Sequence, residues 1–206
     1  MNGIKPIETQ YKGYLFRSRL EARWAVFFDA CGVSWEYEPE GYILPDGKKY
    51  LPDFLLHGVD GRAPSDLFVE VKGKMTPDDA SKIYSFSGLH EADDCCIVKT
   101  PILVVSEIPK PVKQFNSDYY VRQMAYDGFP GFGEGPFPFN FETVDGDYYA
   151  AHPGINKNGR FELFGDDSNY LEDRDDGKTL RALDLARQAR FEFGETPRVL
   201  PVGRKL

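Results

Sequence analysis

The stretch Tyr50-Leu51-Pro52-Asp53, followed seventeen residues after its aspartate by Glu70-Val71-Lys72, is the feature around which this sequence is organised. Each stretch is predicted to lie on a strand, with Asp53 at the end of the first. Side chains two residues apart on a strand point to the same face, so Glu70 and Lys72 are expected to lie side by side. Neighbouring strands would then bring two carboxylates and one ammonium group together.

This set of groups suits metal-dependent cleavage of a phosphodiester, which needs oxygen ligands for Mg²⁺, a positioned water and a cation near the developing charge. Asp53 and Glu70 can supply the carboxylates. The backbone carbonyl of Val71 is a further candidate ligand, because it lies between the two reactive side chains. Lys72 can orient or help deprotonate the attacking water, or stabilise charge in the transition state. The predicted cofactor is Mg²⁺, with Mn²⁺ as a substitute.

The segment before these stretches carries a strong helix signal over about 18–31. Ser18 is a favourable N-cap, and Glu21 stands three residues further on, as in a capping box. Apolar residues then recur at helical spacing, and Gly32 is a suitable C-terminal residue. The sequence therefore predicts a helix that carries a glutamate in its first turn.

The other elements of this half are predicted from apolar alternation and turn residues. Because short turns join the three strands, an antiparallel meander is expected. The fold class is α/β, in the sense of an α+β protein with a mixed sheet. The predicted elements after the first helix are strands at 33–39, 50–56 and 67–71, a helix at 76–90 and a strand at 101–106.

The second half of the chain differs in composition. Residues 110–176 are rich in Gly, Pro, Asp and aromatic side chains, which argues against both simple disorder and long regular elements. Short strands are predicted at 139–149 and 160–164, and a helix at 178–193. We expect a core at 1–109 and a C-terminal extension at 110–206 that packs on it, with a role that the sequence leaves open.

The charge and the cysteine content of the chain restrict the classes of protein to which it can belong. The 206 residues are 41% hydrophobic, which is enough for a packed core, and their net charge is −8. This acidity argues against a large non-specific nucleic-acid surface but not against a nuclease, whose acidic ligands are neutralised by bound cations. The three cysteines lack metal-site spacing, and no apolar run approaches a membrane span. We expect a soluble cytoplasmic protein without a membrane partner.

Pro52-Asp53 together with Glu70-Val71-Lys72 resembles the motif of the PD-(D/E)xK nuclease superfamily, which includes restriction endonucleases, Holliday-junction resolvases and recombination exonucleases. The resemblance covers roughly residues 14–108 and implies a restriction-endonuclease-like α-β-β-β-α-β core. The order of elements predicted above is the same. Residues 17–72 also resemble small nuclease-like proteins encoded by phages and mobile elements.

The resemblance also implies roles for individual residues. Asp53 and Glu70 would be metal ligands, Lys72 would be catalytic, and the substrate would be double-stranded or branched DNA. Members of the superfamily often carry an acidic residue on the first helix, and Glu21 occupies that place here. Glu21 would then be an auxiliary ligand, either directly or through water.

Each of these residues also has a purely structural interpretation. Glu21 can be only the glutamate of the capping box. Asp53 can be a turn aspartate satisfied by backbone amides. Glu70 and Lys72 can form an ordinary surface pair on a solvated face, which would contribute little to stability.

Three functions are compatible with the sequence. The leading hypothesis is a metal-dependent DNA endonuclease or resolvase-like phosphodiesterase. The second is an accessory or binding factor that keeps the fold without useful cleavage. The third is the nuclease subunit of a transposition or defence complex, in which a partner protein supplies DNA contacts. RNA as substrate and a homodimer both stay open.

Overall fold

The structure is a computed structural model of the chain. It describes residues 6–59, 66–87, 90–92, 95–97, 102–108, 140–142, 148–150, 152–164, 173–192, 195, 197 and 199–202. The greater part of residues 110–176 falls outside these ranges. None of the helices within them is long and apolar enough to cross a membrane.

The described residues form a mixed α/β protein with three helices, as the predicted fold class requires. The helices are α1 (Arg19–Cys31), α2 (Pro77–Ser87) and α3 (Asp176–Gln188). The strands of the first half are β1 (Thr9–Tyr11), β2 (Tyr14–Phe16), β3 (Ser34–Tyr37), β4 (Tyr42–Ile43), β5 (Lys49–Tyr50), β6 (Phe54–His57), β7 (Asp66–Val71), β8 (His90–Ala92), β9 (Cys95–Ile97) and β10 (Ile102–Val105). Those of the second half are β11 (Asn140–Glu142), β12 (Tyr148–Ala150), β13 (His152–Ile155) and β14 (Phe161–Phe164).

A four-stranded mixed sheet with the strand order β10-β7-β6-β3 forms the centre of the fold. Strands β3, β6 and β7 pair antiparallel, so the predicted meander is confirmed. Strand β10 instead runs parallel to β7, with Val105 opposite Val71. A parallel pair needs a crossover connection rather than a tight turn, and α2 lies in the segment that provides it.

The single strand predicted at 50–56 is wrong, because this segment belongs to two different sheets. Strand β5 pairs with β4 in a separate hairpin, whereas β6 joins the central sheet. Pro52, between them, has no backbone N–H to donate to a ladder. Asp53 therefore lies just before a central strand rather than at the end of one.

Helix α1 has the limits that its capping residues predict. The Ser18 side chain accepts a hydrogen bond from the backbone N–H of Glu21 at 3.2 Å. Gly32 ends the helix with a φ of 73°, in the left-handed region that glycine adopts without strain. Trp24, which is 1% exposed, donates its indole N–H to the carbonyl of Ser106 at 2.7 Å and so joins the helix to the end of β10.

An apolar cluster covers each face of the central sheet. Alternate residues of β7 and β10 point to opposite faces, so that Val69 packs toward α1 and Phe68 toward α2. The first cluster includes α1, β6, β14 and α3, and the second is formed with α2. The second cluster consists of Leu44, Tyr50, Ile83, Phe86, Ile102 and Val104. Helix α3 packs directly against α1.

Several predicted boundaries in the second half need correction. The strand predicted at 139–149 is wrong as one element, because β11 and β12 are separate strands that pair antiparallel. The strand predicted at 160–164 is confirmed as β14. Helix α3 begins earlier than predicted, because the side chain of Asp175 accepts the backbone N–H of Lys178 and caps it. The division of the chain at 109 stays a prediction.

Candidate active site

Two buried carboxylates lie at the same end of the central sheet. Asp53 immediately precedes β6, and Glu70 is the penultimate residue of β7. The register pairs Phe54 with Val69, so its continuation by one residue places Asp53 opposite Glu70. Each of the two residues is only 2% exposed. Since a buried carboxylate is unfavourable unless it is paired, each needs partners within the protein.

Asp53 is held by one side chain and one backbone group. Its Oδ1 forms an ion pair with Nη2 of Arg17, and its Oδ2 accepts the N–H of Val71 at 2.7 Å. The guanidinium of Arg17 also pairs through Nε with Glu38 at 2.8 Å, and its side chain is 56% exposed. Arg17 therefore covers the solvent side of Asp53. The role of the Val71 carbonyl as a metal ligand stays a prediction.

Glu70 is held from the face of the sheet that carries α2. Its Oε1 lies 2.7 Å from Nζ of Lys72, and its Oε2 accepts the hydroxyl of Tyr50 at 2.7 Å. The same ammonium group is 3.3 Å from Asp79 in α2. The side chains of Glu70 and Lys72 thus lie on the same face of the sheet, at the end of β7.

Glu21 approaches from the other face, on α1, and it both caps the helix and takes part in the cluster. Its Oε1 accepts the hydroxyl of Ser18 at 2.6 Å. Its Oε2 accepts the hydroxyl of Tyr37 at 2.6 Å and the backbone N–H of Arg17 at 3.2 Å. The capping-box interpretation is therefore incomplete, because the carboxylate lies near enough to Asp53 to raise the pKa of that residue.

The surroundings of Asp53 disfavour the ionised, negatively charged form of its carboxyl group. Burial raises the pKa of this carboxyl to about 7, and the charges of Glu70 and Glu21 act in the same direction. The N–H of Val71 and the guanidinium of Arg17 oppose the rise only in part. Near neutral pH, a further cation beside Asp53 would displace its proton and stabilise the ionised form.

The pKa of Lys72 limits the part it can take in chemistry. Burial alone would lower the pKa of its ammonium group, but the charges of Glu70 and Asp53 outweigh burial and raise it. Lys72 therefore stays protonated and acts as a donor and a positive charge rather than as a base. Burial and the adjacent Glu70 likewise raise the pKa of Tyr50, so its hydroxyl remains a donor.

The donor set fits a hard divalent cation, although it is not preassembled for one. In the part of the chain that the structure describes, no three His, Cys, Asp or Glu side chains already form a metal-binding group. All four oxygens of Asp53 and Glu70 accept protein donors. Even so, negative charge is in excess, because Arg17 and Lys72, which pair with Asp53 and Glu70, are also shared with Glu38 and Asp79. Carboxylate oxygens are the ligands that Mg²⁺ prefers. For a metal ion to bind Asp53, Arg17 would have to release the Oδ1 atom of that aspartate.

A cleft of about 440 Å³ opens beside these groups, and we call it the site mouth. It gives access to Glu21 and Val71 from the side of the N-terminal segment. Its lining residues are Pro6, Ile7, Ser18, Arg19, Leu20, Glu21, Val71 and Gly73. Solvent or a substrate can therefore reach Glu21 and Val71, whereas Asp53, Glu70 and Lys72 do not line this cleft.

Three residues of the cluster are absent from the predicted site, namely Arg17, Tyr37 and Tyr50. Tyr50 stands in the quoted stretch itself, and its hydroxyl on an otherwise apolar strand is a signal for a buried acceptor nearby. Arg17 gives no such signal, because its contact with Asp53 joins segments that are distant in the chain.

No protein-family model, curated protein or solved structure matches this chain significantly. The function therefore has to be inferred from the chemistry of the side chains at the site.

Proposed function

We propose that this protein is a Mg²⁺-dependent phosphodiesterase that cleaves DNA, with a restriction-endonuclease-like core. The observation that carries this proposal is the pair Asp53 and Glu70, two almost fully buried carboxylates at the same end of adjacent strands, with Lys72 bonded to one of them. The order α1, β3, β6, β7, α2 and β10 supports the proposed core. Residues in such positions need a reason to be charged, and a bound cation supplies one.

Each residue of the cluster has a part in the proposed reaction. Asp53 and Glu70 would hold Mg²⁺, with Glu21 and the Val71 carbonyl as further ligands. The bound metal would neutralise charge on the scissile phosphate and lower the pKa of an attacking water. Lys72, kept protonated by its neighbours, would orient that water and stabilise the transition state.

Two tyrosines of the cluster would orient the candidate metal ligands rather than contact the substrate. Tyr50 fixes the orientation of Glu70 through its hydroxyl. Tyr37 does the same for Glu21. Hydrogen bonds of this kind orient metal ligands and influence how strongly they bind.

A second candidate function has a specific observation in its favour. Every oxygen of Asp53 and Glu70 already accepts a protein donor, so the cluster can serve as a closed ion-pair network. The protein would then be an accessory factor that keeps the fold without cleaving DNA. Calorimetric titration with Mn²⁺ separates the two functions, since a closed network would give no binding that depends on Asp53.

The activity test uses supercoiled plasmid with Mg²⁺ or Mn²⁺. The proposal expects nicking or linearisation by the native protein and none by Asp53→Ala or Lys72→Ala. Lys74→Ala is a matched control, because this lysine is exposed two residues further along the same segment. Equal cleavage by the native protein and both site variants would show that the activity belongs elsewhere.

A further inference from the structure

A second cleft, of about 620 Å³, lies where α1 and the end of α3 come together. We call it the arginine cleft, because it is lined by Arg23 of α1, Arg187 of α3 and Arg190 just after α3. The remaining lining residues are Gln188, Ala189, Glu192 and Glu195. The cleft therefore gathers three guanidinium groups from two segments in a chain whose net charge is −8.

The Arg23 guanidinium has an unfilled donor. Its Nε is buried and has no hydrogen-bond partner, and no ion pair within the described ranges involves Arg23. An unpaired buried donor is unfavourable, and the Nε of the neighbouring Arg19 is unpaired as well, so an anion held close to these guanidinium groups would be stabilised by their charge. Guanidinium groups are especially suited to bind phosphate oxygens in pairs.

Of the two carboxylates that line the cleft, Glu192 is paired with Arg19 and is also influenced by the charge of Arg190. Glu192 pairs with Arg19 at 2.8 Å, and Arg187 pairs with Asp184 at 2.6 Å. Counting these partners, four arginines face three carboxylates, so one positive charge is left over. That surplus is enough to hold a single phosphate group of a larger ligand.

The arginine cleft adjoins the site mouth. Arg19 lines the site mouth, and its guanidinium binds Glu192, which lines the arginine cleft. One ion pair therefore separates the two openings. If the scissile phosphate of a nucleic-acid strand lies at the carboxylate cluster, a neighbouring part of its backbone would pass the ion pair between Arg19 and Glu192 and reach the arginine cleft.

We infer that the arginine cleft binds a backbone phosphate of the DNA substrate, away from the scissile bond, through Arg23 and Arg190. This inference rests on the proposed function, because it takes DNA as the ligand. Arg187 strengthens the field of the cleft while it remains bonded to Asp184. The cleft positions the strand and takes no part in the chemical step.

The test measures binding of a short fluorescein-labelled DNA duplex by anisotropy, without divalent metal so that no cleavage occurs. Arg23→Gln should weaken binding roughly tenfold, since a charge-assisted bond to phosphate is worth more than about 1.4 kcal/mol. The slope of log affinity against log salt should fall by about 0.9, as for one lost phosphate contact. Arg181→Gln is the matched control, because it removes an exposed arginine of α3 outside the cleft, and it should change the affinity less than about twofold.

Arg190→Gln keeps the test decisive if Arg23→Gln fails to fold, because Arg190 is exposed and its loss should not disturb the core. Unchanged affinity and salt slope in the folded variants would overturn the inference. Saturable binding of inorganic phosphate that requires Arg23, with DNA affinity unaffected, would assign the cleft to a small anion and also overturn it. Failure of the proposed function would give a different result from failure of this inference. DNA would still bind in a way that depends on Arg23, but it would not be cleaved when metal is added.

Discussion

Replacing Asp53 with asparagine should remove a large pH-dependent term from the stability of this protein. The pKa of the folded carboxyl is about 7, whereas its unperturbed value is 3.8. Between these values the folded state binds more protons than the unfolded chain, so this group makes the protein less stable as pH rises. The loss is complete once pH passes the folded pKa.

The expected change in the free energy of unfolding follows from the pH range over which it can be measured. From about pH 5 up to the folded pKa of about 7, the folded carboxyl is mostly protonated while the unfolded one is ionised. Two pH units at about 1.4 kcal/mol each give a loss of about 3 kcal/mol in the free energy of unfolding. Asp53→Asn should show a constant penalty of about 1–3 kcal/mol instead, because its amide NH₂ meets the donors of Arg17 or Val71.

Urea unfolding from about pH 5 to about pH 9 measures this term as the difference between the native protein and Asp53→Asn. Other titrating groups are common to both proteins and largely cancel. Asp78→Asn is the control: this aspartate is exposed and its pKa is lowered, so the corresponding difference should be flat over the same range. A flat difference for Asp53→Asn as well would refute the claim that burial holds this carboxyl protonated.

Three further changes have defined outcomes. Arg17→Met should strengthen Mn²⁺ binding in calorimetry by about tenfold, because the metal no longer has to displace a charged donor from Asp53. Tyr50→Phe should weaken Mn²⁺ binding by roughly 10- to 100-fold, because Glu70 loses the donor that orients it. Trp24→Phe should lower the free energy of unfolding in urea by about 1–3 kcal/mol, because the partly buried carbonyl of Ser106, just after β10, loses its partner.

Each change has a matched control. Lys49→Met removes an exposed cation outside the cluster and should leave Mn²⁺ affinity unchanged. Tyr42→Phe removes a tyrosine hydroxyl that does not contact Glu70 and should have no effect on the metal. Trp35→Phe affects a partly exposed indole and should destabilise less than Trp24→Phe. Equal effects in a variant and its control would contradict the assigned contact.

Much of the fold could be predicted because the deciding signals are local. Ser18 and Gly32 define α1 through capping interactions that involve only neighbouring residues. The shared face of Glu70 and Lys72 follows from the two-residue period of a strand. The failure at 50–56 has a local cause too, since Pro52 interrupts the ladder, but only the pairing of β5 with β4 shows into which sheets the segment divides.

The sequence by itself determined that three helices form, the strand meander and the position of Glu70 on β7 with Lys72 just after it, because capping and periodicity act over a few residues. Only the tertiary structure decided which charges meet. The pairing of Arg17 with Asp53, and the gathering of Arg23 with Arg190 in one cleft, depend on how the apolar faces of α1, the sheet and α3 pack. Packing between distant segments is set by the whole core, and no short stretch of sequence encodes it.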